Sequence, residues 1–476
     1  MTRTESPARA TPSRFDALAL LLARYAWAQR ALLAFPLLAV AGPFASVRPG
    51  ASGFPYLYRV LWALCLLVAI PLFVTEVRRR ALPLAYSLMV LVYAVWAPIT
   101  LAWSPAPQTG RTEVLAGVFA MAGSWVALVL TRGRSDSLRL LRRGWIVAFV
   151  ASMVVVTWEF LTGRHLGEVT GTWDWVYSAY SVAGLDTNPN GLSNFCVAAS
   201  GVMCAQLLRL AGPRAEGPVP RWRVAGLFAG LVAAGYTIYL TGSRAGIMSL
   251  IVILVGAALW CLPTRRRLAV PALLLILAAA LPVVQDTTLN QKRPPAVTQQ
   301  ASAPPKSGHY QDGISEAQKE ADVAGADKLR KDLSLLGLRY LAQRPLQGHG
   351  AGAALTLVER DPDYEPGVPA KNRHVLNLHN TYLEIGVNYG LIGLVPILAI
   401  PLWCLWIFLR PRALRRTWPD PRVYEGLAIL LALLITSIIT STSIGTPSFW
   451  LLAAYASALA WNYGDATREP SNTSGE

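Results

Sequence analysis

The chain has 476 residues, of which 54% are hydrophobic and only 15% charged, and its formal net charge is +16. Soluble globular domains carry about 25% charged residues, so this balance excludes an ordinary soluble enzyme and points to a polytopic membrane protein. In such a chain a surplus of arginine reports which side of the bilayer each connection faces, and it does not argue for nucleic acid.

Taken in order, residues 1–30 are polar and then amphipathic, with Phe15, Leu18, Leu20, Leu21 and Leu22 beside Arg24 and Arg30, which suits a cytoplasmic interfacial segment. No short apolar core with a small-residue cleavage site precedes the first span, which is therefore expected to target the chain itself. Apolar runs of about the 20 residues that cross a bilayer then follow. They lie at 31–47, 57–75, 82–102, 114–131, 145–162, 190–208, 224–241, 245–262, 268–284, 383–409, 423–441 and 446–462. This is the pattern of an all-α protein with about 12 transmembrane helices, nine within 31–284 and three within 383–462. The short gap at 241–245 also fits one interrupted helix. The five cysteines, Cys65, Cys196, Cys204, Cys261 and Cys404, fall inside apolar runs and read as small core residues, with no disulfide framework or zinc spacing.

Arginines cluster in alternate connections: Arg78–Arg80, Arg132–Arg143, Arg209–Arg223, Arg265–Arg267 and Arg410–Arg422. The positive-inside rule then puts both termini, including the tail 463–476, in the cytoplasm. The long connection 285–382, between spans nine and ten, falls outside. Gln291–Gly313 within it has the composition of a mobile segment. From Ser315 a capping box with Gln318 opens a helix whose face carries Leu329, Leu333, Leu336 and Tyr340, and Pro345 ends it. Gly348-His349-Gly350-Ala351-Gly352 follows, a turn whose bare amides are open to approach by a phosphate.

Three residues on this outer side carry chemistry. His379 stands where the polar connection meets an apolar run, and the positive end of the helix that begins there disfavours imidazolium, leaving a neutral proton acceptor. A plain interfacial histidine bonded to a loop carbonyl fits the same position. Arg244 lies at the tip of a tight hairpin, where an arginine costs roughly 2.5–3.5 kcal/mol to insert and is retained for an anion or a carbonyl, or snorkels to headgroups. Arg339 lies near the end of the loop helix, where a solvated face accounts for it equally. Two guanidiniums and a neutral imidazole on one face suit transfer from a lipid diphosphate.

Several motifs recur together. They are Trp103-Ser104-Pro105 after the third span, Asn188-Pro189-Asn190-Gly191 opening the sixth, Gly242-Ser243-Arg244-Ala245, and Arg339 followed by Arg344-Pro345-Leu346-Gln347-Gly348-His349-Gly350. Last comes His379-Asn380-Thr381-Tyr382-Leu383-Glu384 with Gly390-Leu391-Ile392-Gly393 behind it. Over roughly residues 90 to 410 this set resembles the O-antigen ligase and polymerase superfamily. The resemblance implies a GT-C-like membrane glycosyltransferase, inverting, with no metal and no cofactor. It would move a glycan from an undecaprenyl-diphosphate carrier to an acceptor on the outer face of the cytoplasmic membrane, a lipid or cell-envelope anchor for a ligase, a growing glycan for a polymerase. By position His379 matches the catalytic histidine, and Arg244 and Arg339 match the diphosphate-binding arginines, with Asn380, Tyr382, Asn190 and Ser243 as supporting residues. His349 is not required by the family motif. A secondary transporter shares the twelve-span plan, but the mid-span positions are nearly free of charge. Asp361-Pro362-Asp363 matches a metal-binding DxD pair, although its flanking Arg360 and Pro366 favour a turn.

Overall fold

The computed structural model describes residues 26–41, 57–166, 182–186, 188–211, 220–261, 276, 316–362, 378–410, 420–439 and 444–466. Among them the secondary structure is helical. In order these helices are α1 (Ala26–Ala41), α2 (Leu57–Leu72, continued by a π-turn at Phe73–Val77), α3 (Ala81–Ile99, continued by a 3-10 turn at Thr100–Trp103) and α4 (Pro107–Thr131). Next come α5 (Ser135–Thr162), α6 (Pro189–Ala211), α7 (Arg221–Leu240), α8 (Arg244–Cys261), α9 (Glu316–Gln343) and α10 (Ala353–Arg360). The last are α11 (Thr381–Leu409), α12 (Pro421–Ile439) and α13 (Pro447–Ala466).

Seven helices among the described residues are long and apolar enough to cross a membrane, and Trp27–Ala41 and Arg244–Trp260 are shorter apolar helices. That is five fewer than the twelve full spans expected: α1 and α8 are short, α12 and α13 are not among the seven, and the run 268–284 lies outside the described residues apart from 276. Each expected apolar run except 268–284 falls on a helix. That run apart from residue 276, the N-terminal 25 residues and the stretch 291–313 lie outside the described residues. Two boundaries move: α5 begins at Ser135, ten residues before its apolar run, and α13 continues to Ala466, into what reads from sequence as the tail. The gap at 241–245 separates two helices, with Gly242 at φ 68° in the turn between them.

Burial sorts the helices into an interior and a shell. Within α6, 89% of the apolar window is buried, and in α13 Ala453, Ala454, Ala456, Ala458 and Ala460 let neighbouring backbones approach closely. Around them α2, α3, α5, α7 and α11 turn apolar faces outward, for example Leu67, Leu91, Val154 and Leu161, as lipid contact requires. The helix expected in the long connection is present as α9. Its Leu333, Leu336 and Tyr340 are buried in a separate small core with Ala354, Val358, Leu378 and Val387, so α9 and α10 sit on the start of α11.

The run expected as one continuous span at 383–409 is broken. Within α11 Gly390 adopts φ 65°, ψ −168°, which interrupts the backbone ladder. The freed groups bond to the connection. Leu391 and Ile392 donate to the carbonyls of Pro345 (2.7 Å) and Leu346 (3.3 Å), while Val387 and Asn388 carbonyls accept from His349 (2.8 Å) and Gly350 (2.9 Å). Irregular backbone at membrane depth persists only where protein or water satisfies it, and here the connection does so.

Candidate functional site

His379 precedes α11. Asn380 is the N-cap, its side chain accepting from the amides of Tyr382 and Leu383 (both 3.1 Å). Leu378 on the other side is fully buried against α9. Held between them, His379 takes φ 49°, a left-handed conformation rare for a residue with a β-carbon and often found where function over-determines the backbone. Burial, and after it the Arg330 cation, lowers its pKa from 6.5 to about 4. The imidazole is therefore neutral at pH 7, as expected, but burial is the larger cause, and the nearby cation is Arg330 of α9, which the sequence did not single out. Tyr382 reaches across to hydrogen-bond Ser437 of α12.

Arg244 is exposed at the first turn of α8. Ser243 caps that helix, accepting from the Gly246 amide at 3.3 Å, so it has a structural role. Asn188 caps α6 in the same way, taking the amides of Asn190 (2.9 Å) and Gly191 (3.4 Å). Gly246 packs directly onto the Ser193 hydroxyl, so the first turns of the two helices abut. Two helix N-termini thus present partial positive charge beside Arg244, which suits an anion. Within this contact the buried Ser193 Oγ and Asn194 Nδ2 have no hydrogen-bond partner among the described residues. Asp186 packs against Gly191, and burial raises its pKa to about 8, so it is mostly protonated at neutral pH and adds little negative charge there.

Arg339 does not stand alone. It pairs with Asp361, which also accepts from the Tyr340 hydroxyl and is itself buried. Burial and the Asp361 contact push the Tyr340 phenol upward. Of the DxD pair, Asp361 is thus engaged with α9, and Asp363 lies outside the described residues. The Arg339 side chain remains 43% exposed, and its guanidinium lies 5.6 Å from the Tyr340 ring. Arg330 sits nine residues earlier on the same helix, about 13 Å along its axis. His349, with its pKa lowered chiefly by burial, packs edge-on against Tyr340 at 5.8 Å and has Nε2 2.9 Å from the Tyr340 carbonyl.

The glycine turn is not a phosphate cradle. Its amides are all used within the protein: Gly348 to Arg344, His349 to Val387, Gly350 to Asn388, Ala351 to the Thr100 hydroxyl and Gly352 to Glu113. The Trp103-Ser104 motif anchors the same turn from α3, Trp103 Nε1 donating to Gly348 (3.2 Å) and Ser104 Oγ to Ala351 (2.6 Å). Glu113, which the sequence did not single out, takes Asn388 Nδ2 at 2.9 Å and the Tyr389 hydroxyl at 2.6 Å. These glycines serve close packing, as a β-carbon at Gly348 or Gly350 would collide with backbone.

Arg330 of α9 acts on His379, whereas Arg339, nine residues along the same helix and so about half a turn round from Arg330, pairs with Asp361 after α10. Arg244 stands on α8, which packs against α6, α7 and α12, and α12 is also a neighbour of α11. A cavity of about 940 Å³ lies elsewhere and is lined by none of these three sequence-predicted residues. Residues 229–398 match the family model described as O-antigen ligase. That segment contains Ser243, Arg244, Arg339, His379, Asn380 and Tyr382, and leaves out Asn190. No curated protein matches the chain.

Proposed function

We propose that this O-antigen ligase-type membrane protein is an inverting glycosyltransferase that uses an undecaprenyl-diphosphate-linked glycan as donor and a hydroxyl on the outer face of the cytoplasmic membrane as acceptor. Neutral His379 takes the acceptor hydroxyl proton as the oxygen attacks the anomeric carbon. The bond from that carbon to the diphosphate oxygen breaks, and the lipid diphosphate leaves with its charge held by Arg244 and Arg339 and by the field of Arg330. The observation that carries this reading is a neutral, half-buried histidine in left-handed backbone beside the Arg330 cation of α9, inside the family-matched segment.

Arg339 enters the reaction by exchanging Asp361 for a phosphate oxygen, or by binding phosphate with its exposed edge while Asp361 holds the other. The broken α11 is the feature a transporter would use to hold an ion. Its freed groups are instead bonded to the connection, which favours the transferase.

The decisive experiment compares wild type with His379→Ala in detergent-purified protein, measuring lipid-diphosphate binding and glycan transfer on one sample. Binding should persist while transfer falls by about 10²–10⁴-fold, the usual contribution of a general base. Wild-type transfer with normal binding would remove His379 from the mechanism. Offering a lipid anchor and a free glycan as rival acceptors separates ligase from polymerase, for both use the same base.

A further inference from the structure

At the opposite end of the bundle, the first turns of α5, α7 and α12 meet the last turns of α6 and α13 around a cavity of about 940 Å³. Glu425 lies at this end of α12. Ser437, which meets Tyr382, lies twelve residues along, about 18 Å on a helix. Six arginines line the cavity: Arg139, Arg142, Arg143, Arg209, Arg223 and Arg422. Three carboxylates answer them. Buried Glu425 holds Arg142 (2.8 Å) and Arg209, Asp420 holds Arg422 and Asp136 holds Arg139. Among the described residues, six against three leaves a surplus of three positive charges. Arg143 and Arg223 lie outside these pairs, and Arg223 stacks 5.3 Å from the Trp222 ring.

Away from the arginines the lining is apolar, with Ile146, Phe149, Val150, Met203 and Leu227, and Val150 and Trp222 are exposed at 56% and 71%. The cavity therefore has a cationic end, a hydrocarbon end and a mouth on the lipid-facing side. A soluble anion would satisfy the charge and leave the apolar part unfilled, whereas an amphiphile satisfies both. We propose that this cavity binds one anionic phospholipid, with its phosphate between Arg143 and Arg223 and an acyl chain in the α5–α7 cleft. The volume falls within the range of about 300–1,000 Å³ for small-molecule sites, enough for a headgroup and the first part of a chain.

The test uses the full chain in mild detergent, incubated with an equimolar mixture of phosphatidylglycerol and phosphatidylcholine, with retained lipid read by native mass spectrometry. Two variants attack the two ends. Arg143→Ala/Arg223→Ala removes the surplus charge without touching the Glu425 network. Gly226→Leu fills the apolar wall, where an added β-carbon meets nothing within 4 Å. Wild type should retain phosphatidylglycerol in preference, and each variant should lose about tenfold or more of it at unchanged thermal stability. Arg78→Ala/Arg79→Ala removes the same charge from exposed positions outside the cavity and should retain lipid as wild type does. Equal retention of both lipids by wild type, undiminished retention in either cavity variant, or an equal loss in the Arg78→Ala/Arg79→Ala protein overturns the proposal.

Discussion

A histidine whose conjugate acid titrates near 4 is in its accepting form across the physiological range but accepts weakly, so its environment must change when substrate binds. A diphosphate placed near Arg330 offsets the cation that lowers this pKa, and His379 should become more basic in the complex. For kcat/KM, the acid limb due to His379 should therefore lie near pH 4, and for kcat it should lie higher. Coincident limbs, or a limb at 6.5 in kcat/KM, would contradict the assignment. Stability follows the same group with a definite sign. Between 6.5 and about 4 the unfolded chain binds more protons at this site than the folded one, so acidification through that window destabilises the fold, and His379→Gln should flatten the slope. For Arg244 the test is Lys: it preserves charge but loses the planar fork, and transfer should drop well below wild type while expression holds, whereas a merely snorkelling arginine would tolerate the exchange. The residue type and its place at a span boundary made His379 and Arg244 candidates from sequence. Arg330 was not, since nothing in a helical face reveals which loop residue folds against it. The supporting roles read for Asn380 and Ser243 resolve into helix caps, a use that the sequence pattern shares with ligand binding.

Among the elements, α11 decides how the connection is held. Gly390 at φ 65° leaves no room for a β-carbon, which would run into the Leu346 carbonyl and the Gly348 amide. Gly390→Ala should therefore cost about 2–4 kcal/mol from left-handed strain and overpacking together, seen as a lowered thermal midpoint in detergent with loss of transfer. A variant with an unchanged midpoint would mean that the break at Gly390 is dispensable. The apolar run of this helix was plain in the sequence, and so were the face and end of α9. The break was not. It depends on four backbone hydrogen bonds to residues some forty positions earlier, and on Glu113, whose partners Gly352, Asn388 and Tyr389 lie more than two hundred residues away. A lone carboxylate near the start of an apolar helix carries no signal of such a junction, and the glycine turn invited a phosphate reading because amides spent on a distant backbone look free in a sequence.

On the scale of the whole molecule the charge pattern makes a claim about orientation. The arginine-lined cavity and the His379 face stand at opposite ends of α12, and the same clusters that the positive-inside rule assigns to the cytoplasm supply the cavity's cations. On that assignment Leu346, 65% exposed on the connection, faces outward, and the exposed Ser135 at the start of α5 faces the cytoplasm. Cys65, Cys196, Cys204 and Cys404 are buried and should contribute little background to thiol labelling, and the fifth cysteine is removed by carrying out the test in a Cys261→Ser protein. Leu346→Cys should then react with a membrane-impermeant maleimide in intact cells, and Ser135→Cys should react only after the membrane is opened. The reverse pattern would turn the molecule over, placing His379 on the cytoplasmic face, away from the outer-face acceptor that the proposed transfer requires.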